Sequence, residues 1–435
     1  MSGLLKTTLL GLALSLGASA TLSADYYVDP VSGAPENDGS AKSPWRSLES
    51  VIDEGRLKAG DTLYLRDGFH GALKISGKQN NDWITITAEE GHEPKLSLVA
   101  IRDSRFWRVS GLDVSPEYGG ERPEKNIVSI GGDTSDIVFS DSKARTVLDA
   151  SGWSAEDWKT YALNGIAHGG ERVTVTDNLV QNVRHGMPGI SHNSRIAGNT
   201  IDNYSADGIR GLGNHTVYEF NRITNCRDVD DNHDDGFQSW SIGPDKKPGT
   251  GTVVGGVLRG NVIIGVTDPD QPFACSLHGI GMFDGMFEDW VIENNLILVD
   301  HYHGITVMGA KNVVVRNNTV MKWGNGGGRP WVVVTRHKDG RLAENSVVAN
   351  NLLPEQKWIS QDHFQLRQPG VAIINNMEVK KPEKFYVDPK AFNLRLRDGS
   401  PAADLAAPQF APPQDVDGVD RSKGRGPDIG AYESW

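Results

Sequence analysis

Two polar marks, each followed by apolar positions, recur along the middle of the chain. Asn comes at Asn178, Asn199, Asn221, Asn261, Asn295, Asn318, Asn351 and Asn376, and Gly at Gly165, Gly186, Gly208, Gly236, Gly279 and Gly304. The shortest Asn spacings are 21, 22 and 23 residues (178 to 199, 199 to 221, 295 to 318). That length suits one coil carrying three short strands. Such coils stack so that each strand pairs with its copies above and below, and a column of Asn side chains can bond along the stack. A leucine-rich repeat has a similar period, but no leucine frame recurs here, and a propeller blade needs about twice the length. The pattern therefore predicts an all-β chain folded as a single-stranded parallel β-helix.

The interruptions to the period say where loops leave the solenoid. From repeat Gly to the next repeat Asn the chain takes 13 residues in the coils starting at Gly165, Gly186 and Gly208, but 25 after Gly236. The excess falls on Ser241 to about Gly251. From repeat Asn to the next Gly the usual count is 8 or 9; it is 15 from Asn221 and 18 from Asn261. Lengthened loops on both edges of one strand are expected to wall a groove, and long loops on a repeat scaffold commonly carry function.

The two ends read differently from the middle. Residues 1–24 have the form of a secretory leader: Lys6, an apolar run from Leu9 to Leu16, and small residues at Ala18-Ser19-Ala20 or Leu22-Ser23-Ala24. The run is too short to span a bilayer, so residues 25–435 are expected to be soluble and secreted or periplasmic. From about 25 to 70 the chain offers Tyr26-Tyr27-Val28-Asp29-Pro30, a short helix from Ser47 to Leu57, and a strand Thr62–Leu65 ending at Asp67-Gly68. This opening resembles the N-terminal cap of secreted right-handed parallel β-helix proteins, many of them polysaccharide lyases. A cap makes physical sense there, since the first coil otherwise exposes an unpaired edge. From about 385 to 435 the strings Phe385-Tyr386-Val387-Asp388-Pro389 and Gly426-Pro427-Asp428-Ile429-Gly430-Ala431-Tyr432-Glu433 resemble a closing segment common on the same proteins.

The formal charge is −12, or −13 once Lys6 leaves with the leader. An acidic surface argues against nucleic acid, which requires a basic footprint. It leaves room for an acidic polysaccharide if one groove is locally basic or holds a cation. Nothing in the pattern calls for a partner chain, and a monomer is expected. Cys226 and Cys275 are the only cysteines. They fall in lengthened loops of adjacent coils on one edge, where a disulfide would clip the groove wall, though two buried thiols fit the same positions.

Aligning the coils on the repeat Gly produces a column of preceding residues: Asn164, His185, Asp207, Asp235, His278 and His303. In a regular strand Gly would face out, the next residue in, and the one after that out again. The outward positions then read Ala167, Pro188, Arg210, Gln238, Gly281 and Thr306. The residue before Gly is expected in the turn entering the strand, with its side chain on the outer face. Asp207 with Arg210, Asp235 with Gln238, and His278 should thus occupy three successive coils of one groove, with His303 on the next. Trp240, His168 and Tyr302 join Gln238 as candidate substrate contacts, and Phe283, Trp290 and Trp323 are further rings able to stack on sugars.

The loop Cys226–Asp235 holds Asp228, Asp230, Asp231, Asp234 and Asp235, a density of hard oxygen donors that suits Ca²⁺. In carrying Asp-Gly in one coil (Asp207) and Asp-Asp-Gly in the next (Asp234, Asp235), the chain resembles family 9 polysaccharide lyases, the pectate lyases. That resemblance implies calcium on Asp207, Asp234 and Asp235, with Asp231 a further candidate. The chain departs from the family at Gln238, where an aspartate is expected, and has no match to its catalytic lysine; Arg210 is the replacement the resemblance suggests. The order Asp207, Asp234-Asp235, Leu277-His278-Gly279 also resembles family 28 glycoside hydrolases. Elimination from a uronate needs its carboxylate neutralised and a base, for which Arg210, His233, His278 and His303 are candidates. The sequence thus points to β-elimination on an acidic polysaccharide. Hydrolysis, C5 epimerisation and non-catalytic carbohydrate binding remain as alternatives.

Overall fold

The computed structural model describes residues 23–268, 270–324, 326–355 and 369–434. The expected leader, residues 1–24, lies outside the described residues except for its last two positions. The described chain winds as a right-handed parallel β-helix with three faces. The first face runs through Ala72–Ser76, Leu98–Arg102, Asn126–Gly131, Met187–His192, Ile209–Gly211, Asp235–Trp240, His278–Asp284, Ile305–Met308 and Val332–Thr335. The long strand Asn164–Thr176 belongs to this face at its start and bends into the second at its end, so that both faces form one sheet. The third face holds the strands that follow each repeat Asn, from Leu179–Val183 to Met377–Val379.

All eight repeat Asn side chains form one unbroken ladder. Each Nδ2 donates to the Oδ1 of the next Asn at 2.8–3.0 Å, from Asn178 through to Asn376. The residue before each Asn takes a positive φ, as at Asp177, Phe220, Asn294 and Asn350, which gives the tight corner between the second and third faces. The interior is filled by the inward residues of all three faces, a continuous cluster from Val28 to Val348.

The expected strand Thr62–Leu65 is present and pairs in parallel with Asp25–Val28. The cap helix is shorter than expected, Leu48–Asp53: Ser47 caps its start and Gly55, at φ 62°, follows its end. A second helix, Ala155–Tyr161, was not expected; Ser154 and Asp157 form a capping box at its start. The C-terminal segment covers the outside of the third face, where Ile429, Ala431 and Tyr432 pack with Leu296, Leu298, Met321 and Leu352. That cover explains why Leu296–Val299 is apolar on both sides. No helix among the described residues is long and apolar enough to cross a membrane.

Candidate functional site

The floor of the groove is the first face, and its polar column exists. Gly186 N–H donates to the Asp207 carbonyl at 2.9 Å, Gly208 N–H to Asp235 at 2.8 Å and Gly279 N–H to His303 at 2.8 Å. Strand register pairs Asp235 with His278 and Arg210 with Gln238. One expectation needs correcting: the repeat glycines face inward. A Cβ on Gly208 would lie 2.5 Å from Ile223 Cγ2 and 2.6 Å from the Gly236 carbonyl, and Gly236 and Gly279 are as crowded. Ile209, Phe237, Ile280 and Ile305 also point inward. Alternation therefore lapses between Gly and the next residue, where the chain turns a corner too tight for any side chain. The residue before Gly is left on the outer face beside the residue two after it.

That corner is what brings Asp207 to Arg210. The Arg210 Nε donates to Asp207 Oδ2, and the guanidinium lies 5.2 Å from the Trp240 ring. Asp207 Oδ1 accepts from the backbone N–H of Asp235 at 3.2 Å, and His185 Nδ1 accepts from the backbone N–H of Asp207 at 3.2 Å. Burial by itself pushes the Asp207 carboxyl up. Contact with His185 and the charge of Arg210 outweigh it and hold the group below the ordinary carboxylate range.

Asp235 is the hub of the next coil. Its Oδ2 faces His233 Nδ1 at 2.9 Å and accepts from Gln238 Nε2 at 3.0 Å, while Oδ1 faces His278 Nδ1 at 3.1 Å. The His233 and His278 rings stack at 5.5 Å and 11°, and Phe283 meets both edge-on. The hydrogen bond to Asp235 raises the pKa of His233 despite partial burial.

The cluster continues through His303 and through His301, which sequence reasoning missed. The His301 ring lies 4.1 Å from His278, and His303 4.9 Å. His301 Nδ1 accepts the His303 backbone N–H at 3.2 Å, so in the neutral ring Nε2 carries the proton. His303 Nδ1 meets Thr306 Oγ1 at 2.8 Å, and Thr306 accepts from Trp331 Nε1 at 2.8 Å. Burial, then the neighbouring imidazoles, pushes His301 down to about 4 and His303 down to about 3, so both are neutral at ordinary pH. Tyr302, 44% exposed, packs against His301 and Trp331 at the rim. The string His301-Tyr302-His303 immediately before the repeat Gly304 was the available signal; the column had retained only its last member.

Other candidates lie elsewhere. His168 is in the interior, 1% exposed, with its ring toward Tyr218, so it cannot meet a ligand in the groove. Trp290 is a core residue, and Trp323 packs on Phe392 with its N–H on the Val266 carbonyl. Asp207, Asp231, Asp234 and Asp235 do not form one ligand group. Asp207 is taken up by Arg210, Asp231 is exposed, and Asp234 turns away from Asp235 toward the Cys226–Cys275 disulfide. Burial pushes the Asp234 carboxyl up to about 8, which opposes its service as an ionised ligand in this geometry. The residues thus do not fit the calcium arrangement implied by the lyase resemblance. The described residues bring together two groups of three potential ligands. One contains the bridged cysteines, whose sulfurs are committed; the other is His233, Asp235 and His278.

The walls follow the expected loops. Cys226–Cys275 ties loop 226–234 to loop 265–277, aided by a bridge between Arg227 and Ala274. Opposite, loop 241–251 is held to 336–341 by Arg341 donating to the Gly249 carbonyl at 2.7 Å. A cleft of about 610 Å³ leads from Arg210 and Trp240 past His185 and Arg184 to Asn126 and Lys125. It is locally basic on an acidic protein, with Glu124 the one carboxylate in its lining.

No family model matches the sequence, and no curated protein matches it in sequence. Solved structures do match in fold. The structure titled as XylC in complex with xylose aligns at TM-score 0.52 and 10% identity over 94% of this chain and 98% of that one. Pectate lyase Pel9A aligns at TM-score 0.50 and 13% identity over 95% and 96%. At such identities the likeness establishes the parallel β-helix along nearly the whole chain.

Proposed function

We propose that the protein is a secreted or periplasmic lyase that cuts a uronate-containing polysaccharide by β-elimination. One observation carries the proposal: the groove offers imidazoles and a guanidinium to a ligand and keeps its carboxylates underneath. The side chains of Asp207 and Asp235 are 0% exposed, against 24% for Arg210, 12% for His278 and 58% for His233. Inverting hydrolysis needs two carboxyls about 6.5–9.5 Å apart that both reach the substrate or its water. Here both floor acids are spent on neighbouring side chains. Elimination needs the other set: positive charge to neutralise the uronate carboxylate and so acidify the α proton, and a neutral base beside it.

Arg210, anchored on Asp207, and His233, whose affinity for a proton Asp235 strengthens, supply the charge. Arg210 is a permanent cation and serves there rather than as base. A neutral imidazole of the His278–His301–His303 cluster takes the C5 proton. The C–H electron pair becomes the C4=C5 double bond, the C4–O bond breaks, and the departing oxygen collects a proton, which the imidazolium formed in the first step can return. No step is assigned to calcium, because the donors present do not form its site.

The test is incubation with a panel of uronate polymers, following ultraviolet absorbance of the unsaturated product alongside reducing ends. Both should rise together, and Arg210→Ala and His278→Ala should each lower the rate by on the order of 100-fold or more. Reducing ends without absorbance would identify hydrolysis and end the lyase proposal. C5 inversion without cleavage would identify an epimerase, and binding without any product a lectin-like role.

A further inference from the structure

We infer that His233, Asp235 and His278 form a binding site for one divalent transition-metal ion of the Zn²⁺ type, open toward the groove. Their three ligand atoms lie within 4.8 Å of one another, on adjacent coils that the sheet register holds in place. The His233 Nδ1–Asp235 Oδ2 and His278 Nδ1–Asp235 Oδ1 separations are 2.9 and 3.1 Å. A tetrahedral ion with bonds of about 2.0–2.1 Å has ligand–ligand edges of about 3.4 Å, so small rotations of the two rings suffice. Two imidazoles and one carboxylate with a vacant fourth direction is the donor set of open zinc sites. Calcium, which takes about six to eight oxygens, finds one carboxylate here.

The surroundings are built for the group. Gln238 Nε2 donates to Asp235 at 3.0 Å and fixes its carboxylate, as outer partners do around metal ligands. Phe283 stands edge-on to both imidazoles, and His301 packs against His278. Gly281 faces the site from the next coil, and a Cβ there would lie 2.2 Å from Asp235 Oδ1, so only glycine leaves the carboxylate its room. Each ring would ligate through Nδ1 with its proton on Nε2, which directs the open position toward a ligand in the groove. The role of the ion rests on the lyase proposal: when bound it would replace the protonated His233 in receiving the uronate carboxylate, beside Arg210, and leave His301 and His303 for the proton. Binding itself does not depend on that proposal.

The experiment strips the full-length mature protein with chelator, then titrates Zn²⁺, Co²⁺ and Ca²⁺ by calorimetry and records the visible spectrum with Co²⁺. One Zn²⁺ should bind per chain, Co²⁺ should give ligand-field absorbance, and Ca²⁺ should give no one-to-one binding. His233→Ala and His278→Ala should each weaken Zn²⁺ binding by on the order of 100-fold, whereas Asp231→Asn should leave it unchanged. His233 is mostly exposed, so its variant carries the test should His278→Ala fail to fold by near-ultraviolet circular dichroism. Absence of Zn²⁺ binding by the native protein would overturn the inference, as would Ca²⁺ binding that survives both histidine changes but is lost in Asp231→Asn. Zn²⁺ binding with no unsaturated product would uphold the site and defeat the lyase proposal. Unsaturated product from protein that binds no Zn²⁺ would do the reverse.

Discussion

Replacing Asn261 with Ala removes one rung of the ladder on which the whole solenoid is threaded. The side chain is 3% exposed and makes four hydrogen bonds. Its Oδ1 accepts from the Asn221 backbone N–H at 3.1 Å and from Asn221 Nδ2 at 3.0 Å. Its Nδ2 donates to the Tyr218 carbonyl at 2.9 Å and to Asn295 Oδ1 at 3.0 Å. After truncation the Asn221 N–H and the Tyr218 carbonyl remain buried with no side chain to meet them. A buried unsatisfied group costs roughly 1–3 kcal/mol, so the pair places the loss at about 2–6 kcal/mol. Asn261→Asp should be at least as damaging, because it turns a carboxylate toward two oxygens that had each accepted a hydrogen bond from Nδ2. Asn376, the last rung, is partly buried, and among the described residues its Nδ2 meets only the Val348 carbonyl, so Asn376→Ala should cost distinctly less. The assay is urea unfolding followed by circular dichroism. A break in mid-stack should also broaden the transition, since coils bind only their neighbours and the two halves lose their coupling. A loss below about 1 kcal/mol, or an equal loss at Asn376, would refute the claim that the ladder stabilises the fold through buried hydrogen-bond satisfaction.

Three further outcomes follow from the site and its supports. Gly208→Ala should cost about 1–3 kcal/mol or more through its clash with Ile223 and the Gly236 carbonyl, and should lower activity by displacing Asp207 and Asp235; Gly131→Ala, with nothing within 4 Å, is the neutral control in thermal melts and rate assays. Replacing Cys226 and Cys275 together with Ser should destabilise by about 2–4 kcal/mol and raise KM more than it lowers kcat, because the bridge holds the wall and not the floor. Burial pushes the Glu433 carboxyl up to about 7 even beside Arg421, so the folded chain holds that proton more tightly than the unfolded one. Stability should therefore fall as pH rises from about 4.5 to about 7, by on the order of 1–3 kcal/mol, and Glu433→Gln should flatten that dependence in urea midpoints.

Much of the scaffold was legible because a repeat protein writes each coil separately. The eight Asn marks and six Gly marks each name a corner, and the long intervals after Gly236, Asn221 and Asn261 name the walls. The helix Ala155–Tyr161 was less visible: its Ser154–Asp157 box lies in a connection that carries no repeat mark. His301 was passed over because a column aligned on glycine keeps one residue per coil, whereas this loop supplies two imidazoles to the same place.

What the sequence determined on its own is the solenoid, its period, and the stacking of Asp207, Asp235, His278 and His303 on one face; these follow from spacing, since strand pairing between coils carries a local pattern into a column. The direction in which each side chain points was decided by tertiary packing. The glycines turn inward because a carbonyl and an aliphatic chain from neighbouring strands leave no room for a Cβ, and that inversion sets Asp207 beside Arg210. Asp234 and Asp235 are adjacent in the chain, yet one turns to the disulfide and the other to His233 and His278. No spacing records that divergence. It replaces an expected cluster of acids with a histidine–carboxylate site, because which oxygens share a space depends on the corner and not on the count.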